Sequence, residues 1–122
     1  MTYFLLAAAG LTGIFLRYHL DKTTAFPADQ FNWTTFAINV CGSLIAGLIF
    51  VLSEKQQWPK PVQTALLVGL CGGLTTFSTY SLQTFHLMDS GKISTALLYW
   101  FLSPVAGLLA VTASVILSRR LL

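Results

Sequence analysis

The chain has 122 residues, of which 55% are hydrophobic and 9% charged, with a formal net charge of +3 and a mean hydropathy of +0.72. Soluble domains carry about 25% charged residues, so the composition places this chain in a membrane and excludes an ordinary water-soluble enzyme or binding module. The seven basic residues are scattered and form no nucleic-acid patch, while Cys41 and Cys71 lie in apolar runs without histidine neighbours and read as small packing residues.

A helix needs about 20 apolar residues to cross a bilayer core. Charged residues cut the chain into four such pieces, which predicts an all-α membrane protein. A single four-helix domain covers residues 1–122, with spans at about 2–19, 31–53, 62–87 and 93–118. The first span opens MTYFLLAAAG, lacks the basic start of a cleavable signal, and reads as a mature span with Arg17 near its end. The loop DKTTAFPADQ leads to the second span, which carries Thr35 and, one turn later, Asn39. The loop SEKQQWPKP leads to the third. Its centre reads CGGLTTFSTY (residues 71–80), with five hydroxyls in seven residues, at Thr75, Thr76, Ser78, Thr79 and Ser81, directly after Gly72 and Gly73. The turn MDSGK opens the fourth span, where Tyr99, Ser103 and Gly107 recur every four residues and share a helix face.

Loop charges normally orient such a chain. One side holds Lys55, Lys60, Arg119 and Arg120, and the other Arg17, Lys22 and Lys92. That near balance is the condition for insertion in both orientations, with two copies meeting antiparallel. Small residues four apart favour a tightly packed oligomer: Gly69 and Gly73, Ser43 and Gly47, Ser103 and Gly107, Ala106 and Ala110.

Spans two to four contain no charged residue. All four acids, Asp21, Asp29, Glu54 and Asp89, fall in loops, and His19 and His86 lie at span ends without ligand partners. This argues against a proton-coupled exporter of cations, which would need a membrane carboxylate, and against a membrane enzyme. What remains is neutral and donor-rich. Asn39 in hydrocarbon needs partners and either glues helices or lines a wet path. A break in the third helix around Gly72 to Thr75 would expose carbonyls able to hold a hard cation such as Na⁺. Phe77 and Tyr80 share a face and offer ring edges with partial positive charge. Two readings stand: a donor-lined pathway for a small anion, and helix-packing glue.

Four stretches resemble the Fluc (CrcB) family of fluoride ion channels over nearly the whole chain. They are GLTGIFLRY (residues 10–18), TTFAINVCGS (34–43), GLCGGLTTFSTY (69–80) and YWFLSPVAG (99–107). The third is highly specific. The resemblance implies a dual-topology antiparallel homodimer in the bacterial inner membrane, with two pores that passively export cytoplasmic fluoride and so relieve its toxicity. It implies that Asn39 is the pore asparagine with Thr35 beside it. Phe77 and Tyr80 would occupy the aromatic positions, with Ser78, Thr79, Tyr99 and Ser103 on polar tracks and Arg17 near the vestibule. The carbonyls of Gly72 and Thr75 would hold a structural Na⁺ at the dimer centre, two from each subunit.

The chain also departs from the family. Tyr80 stands where the family usually has a second Phe, Thr34 where it usually has Gly, and Gly107 where some members have Ser. Pro104 is expected to kink the fourth helix beside Ser103. The alternatives are a small multidrug-type exporter, a diverged subunit of a heterodimeric fluoride channel, and a non-conducting assembly subunit.

Overall fold

The computed structural model describes residues 1–24 and 27–122, so two residues of the predicted first loop lie outside the described residues. The described chain is helical apart from turns. It runs α1 (Thr2–Thr23), α2 (Trp33–Lys55), α3 (Lys60–Thr64), a π-helical segment (Ala65–Cys71), α4 (Gly72–Leu74), α5 (Ser78–Asp89) and α6 (Ile93–Leu121). Taking Lys60–Asp89 as one interrupted helix, four helices among the described residues are long and apolar enough to cross a membrane, at 22, 23, 30 and 29 residues. At 1.5 Å per residue the shortest reaches about 33 Å, enough for a hydrocarbon core of about 30 Å.

Local chemistry sets the ends of these helices. The Asn32 side chain caps α2 by accepting from the Thr35 N–H at 2.9 Å. Pro61 sits in the first turn of α3, where its missing N–H costs nothing. Gly91 takes φ +74°, the left-handed turn that lets the chain reverse into α6.

The sequence expectation that the third helix breaks at Gly72 to Thr75 needs correction. Gly72 is helical, with φ −66° and ψ −33°, and the helix opens only at Thr75, with φ −82° and ψ 158°. Residues 75–77 are non-helical, and α5 restarts at Ser78. The glycines serve a different purpose, which is close approach. A Cβ on Gly73 would lie 2.6 Å from the Gly10 carbonyl oxygen, and one on Gly69 would lie 2.9 Å from that of Leu6. α1 therefore packs backbone to backbone against the π-helical segment and α4.

A second seam joins α2 to α6. A Cβ on Gly47 would meet the Val111 carbonyl at 2.8 Å, and the Ser114 hydroxyl donates to the Leu44 carbonyl at 2.6 Å. Gly69, Gly73 and Gly47, read from the sequence as oligomer contacts, are therefore used inside one chain. Their small size closes the intrachain seams. A compact cluster of Tyr80, Leu87, Ala96 and Tyr99, with Phe31 and Phe36 against it, ties α5 to α6 and to the start of α2. Of the two free cysteines, Cys71 is buried and Cys41 exposed.

Candidate functional site

The interruption at residues 75–77 leaves backbone groups that must find partners at membrane depth. Asn39, on α2, supplies them. Its Nδ2 donates to the Thr76 carbonyl at 3.2 Å, and its Oδ1 accepts the Thr76 N–H at 2.9 Å. One side-chain amide thus replaces both hydrogen bonds that a continuous helix would have given Thr76. An Asn amide has two N–H donors, so the second remains for another acceptor. Behind it the Ser43 hydroxyl donates to the Asn39 carbonyl at 2.8 Å.

Diverting Thr76 has a consequence for the residue four positions earlier. In an unbroken helix the Thr76 N–H would serve the Gly72 carbonyl, but it goes to Asn39. In the same way the Thr79 N–H, which would serve the Thr75 carbonyl, is 3.3 Å from the Thr76 Oγ1 and donates there. The carbonyls of Gly72 and Thr75 are thereby deprived of their helical donors. Gly73 is treated differently, because Arg17 Nε donates to its carbonyl at 3.2 Å. The guanidinium of α1 therefore caps the end of α4 from a half-buried position.

Asn39, Ser43, Thr75, Thr76, Phe77, Tyr80 and Ser103 line one groove of about 430 Å³ between α2, the interruption and α6. No charged side chain lines it. Ser103 Oγ is buried and has no hydrogen-bond partner among the described residues. Phe77 and Tyr80 lie with ring centroids 5.7 Å apart but differ in setting: Phe77 is 72% exposed and Tyr80 only 4%. The Tyr80 hydroxyl donates to the Trp100 carbonyl.

Of the residues singled out in the sequence, Asn39, Phe77, Tyr80 and Ser103 meet in this groove. Thr35 and Tyr99 do not line it. They are joined through Gln83, whose Nε2 donates to Thr35 Oγ1 at 3.0 Å and whose Oε1 accepts from the Tyr99 hydroxyl at 2.7 Å. Thr35 and Tyr99 are almost fully buried. Thr79 sits at the start of α5, where its Oγ1 accepts from the Thr76 hydroxyl at 3.0 Å, and Ser78 is exposed there. His19 and His86 lie near helix ends, exposed. Gln83 was missed by sequence reasoning. The signal was present, since an amide within the third span needs buried partners as Asn39 does.

Sequence comparison leads to the same place as the geometry. Residues 4–115 match the family model described as CrcB-like protein, Camphor Resistance (CrcB). A relative from Pseudomonas putida named fluoride-specific ion channel FluC is 40% identical over 115 residues, covering 93% of each chain. One of the same name from Flavobacterium psychrophilum is 37% identical over 122 residues, covering 98% of each. Another, from Phocaeicola vulgatus, is 35% identical over 121 residues, covering 94% of this chain and 96% of its own length. With the match spanning all four membrane-crossing helices and the polar interruption between α4 and α5, this chain belongs to the CrcB family.

Proposed function

We propose that this multi-pass membrane protein is a fluoride-specific ion channel of the bacterial inner membrane, a passive route for cytoplasmic fluoride and not an enzyme. The observation that carries the reading is the neutral groove, where the free N–H of Asn39, the unpartnered hydroxyl of Ser103 and the rings of Phe77 and Tyr80 converge. An anion crossing a bilayer must exchange water for donors. Amide, hydroxyl and ring edge each supply a weak one. A channel needs sites that bind favourably and still release. The absence of a charged side chain on the groove serves release, and the relatives named as fluoride-specific channels point to fluoride as the anion.

The active form is an antiparallel, dual-topology homodimer. The near-equal loop charges support it, and so does the exposure of Phe77 and Gly72 at the edge of the groove and the interruption, which leaves the pathway half-walled in one chain. Thr35, Ser78, Thr79 and Tyr99 belong to the polar track flanking the pore, and Arg17 to its vestibule. The carbonyls of Gly72 and Thr75 fit a structural Na⁺. Both have lost their helical donors, and among the described residues no His, Cys, Asp and Glu cluster offers a metal site. When bound, Na⁺ would take the lone pairs of those carbonyl oxygens in place of the missing N–H donors. The exporter reading finds no support, because every acid sits at a helix end or in a loop.

The test is fluoride efflux from liposomes containing only this purified chain. Flux supports the homodimer, whereas well-folded protein without flux removes it and leaves a heterodimeric or non-conducting subunit.

A further inference from the structure

The one residue of the central motif that departs from the resemblance is Tyr80, and the structure gives its hydroxyl a specific acceptor, the Trp100 carbonyl on α6. In an α-helix the carbonyl of residue 100 is served by the N–H of residue 104. Residue 104 is proline, inside the helix, and has no N–H. The Trp100 carbonyl is thus orphaned at a depth where water is scarce and an unsatisfied carbonyl is costly. Two of the departures of the sequence, Tyr80 and Pro104, act on the same oxygen.

We infer that Tyr80 is the positioning residue of the aromatic pair, its hydroxyl replacing the backbone donor that Pro104 removes and so fixing the ring at the groove. This rests on the fluoride-channel reading of the same groove. The surrounding contacts agree with a fixed ring. Tyr80 stacks on the Trp100 indole, centroids 5.2 Å apart and planes 12° apart, and packs on Tyr99 at 5.2 Å. Phe77 has no such tether and is largely exposed in the single chain. The two aromatic positions are therefore held differently: Tyr80 is tied to α6 through its hydroxyl, whereas Phe77 meets Tyr80 and Trp100 by ring contact alone. The exchange also ties the interruption to the fourth helix. Asn39 fixes Thr76 from α2, and Trp100 fixes Tyr80, one turn on, from α6.

The experiment compares Tyr80→Phe in two backgrounds, native and Pro104→Ala, by fluoride efflux per reconstituted chain. It adds isotope-edited infrared spectroscopy of protein labelled with ¹³C-carbonyl tryptophan, read as the difference between proteins with and without Tyr80→Phe so that the labels at Trp33 and Trp58 cancel. In the native background Tyr80→Phe is expected to slow efflux about tenfold and to move the Trp100 carbonyl band to higher frequency. With Pro104→Ala the helix supplies its own N–H, so Tyr80→Phe should change efflux less than about twofold and leave the band in place. If Tyr80→Phe does not fold and Pro104→Ala restores folding, the tether is supported. Equal effects of Tyr80→Phe in both backgrounds overturn it, as does an unshifted band in the native background or a failure of Pro104→Ala to restore folding. If the native chain passes no fluoride the channel reading fails, and the infrared comparison still decides the tether.

Discussion

The amide of Asn39 grips Thr76 from both sides, donating to its carbonyl at 3.2 Å and accepting its N–H at 2.9 Å. This one side chain on α2 pairs with the interruption in the third helix, and the residue lines the groove. The sequence left glue and pathway as alternatives; the glue is what these two hydrogen bonds show, and the pathway proposed above would draw on the second N–H of the same amide.

Asn39→Asp separates them. The carboxylate keeps an acceptor for the Thr76 N–H but turns its second oxygen on the Thr76 carbonyl and puts negative charge where an anion would pass. Fluoride efflux should fall at least about a hundredfold, the effect of a few kcal/mol on the crossing barrier. Asn39→Asp protein that remains folded and conducts at the native rate would move the pathway elsewhere.

Gln83→Leu removes the link between Thr35 and Tyr99 while keeping volume. Two buried hydroxyl groups lose their partner, which should destabilise the fold by about 1–3 kcal/mol. Thermal unfolding in detergent reads this directly. A melting temperature equal to that of the native chain would show that the triad contributes nothing.

The adjacent glycines should respond in opposite ways. A Cβ on Gly73 would stand 2.6 Å from the Gly10 carbonyl oxygen, so Gly73→Ala forces α1 and α4 apart and should cost about 2–3 kcal/mol. A Cβ on Gly72 meets nothing nearer than the Leu67 carbonyl at 4.0 Å. Gly72→Ala should leave the melting of the single chain within about 0.5 kcal/mol but weaken association if Gly72 faces a second copy. Crosslinking and sedimentation measure the second effect. Unchanged association would take Gly72 out of the interface.

Sodium removal tests the two freed carbonyls. Replacing all Na⁺ with a bulky organic cation should inactivate the channel or loosen the proposed dimer over the exchange time, and readdition should restore it. Full activity through prolonged Na⁺-free incubation would count against Gly72 and Thr75 as cation ligands.

The membrane class, the four helices and the neutrality of the spans could be read from the sequence, because they depend on composition and on where charges fall along the chain. The importance of CGGLTTFSTY was readable for the same reason: glycines and hydroxyls stand out against an apolar run. What each residue of the motif does was not. Gly72 and Gly73 looked like the break, yet both are helical and Gly73 admits α1. The break falls at residues 75–77, where Asn39, 37 residues away in sequence, replaces both of the hydrogen bonds a continuous helix would give Thr76.

Periodicity is a property of one segment and survives being read in isolation. Which carbonyl loses its donor, and which side chain replaces it, depends on atoms from different helices brought within 3 Å or so, and only the packed chain contains that distance. Gln83 joins α5 to α2 and α6 through partners at positions 35 and 99. Tyr80 reaches the carbonyl that Pro104 leaves without a donor. Sequence alone showed Tyr80 and Pro104 as two unrelated departures. The tertiary structure makes them one exchange, because an orphaned carbonyl at membrane depth has to be answered by whichever donor the fold brings to it.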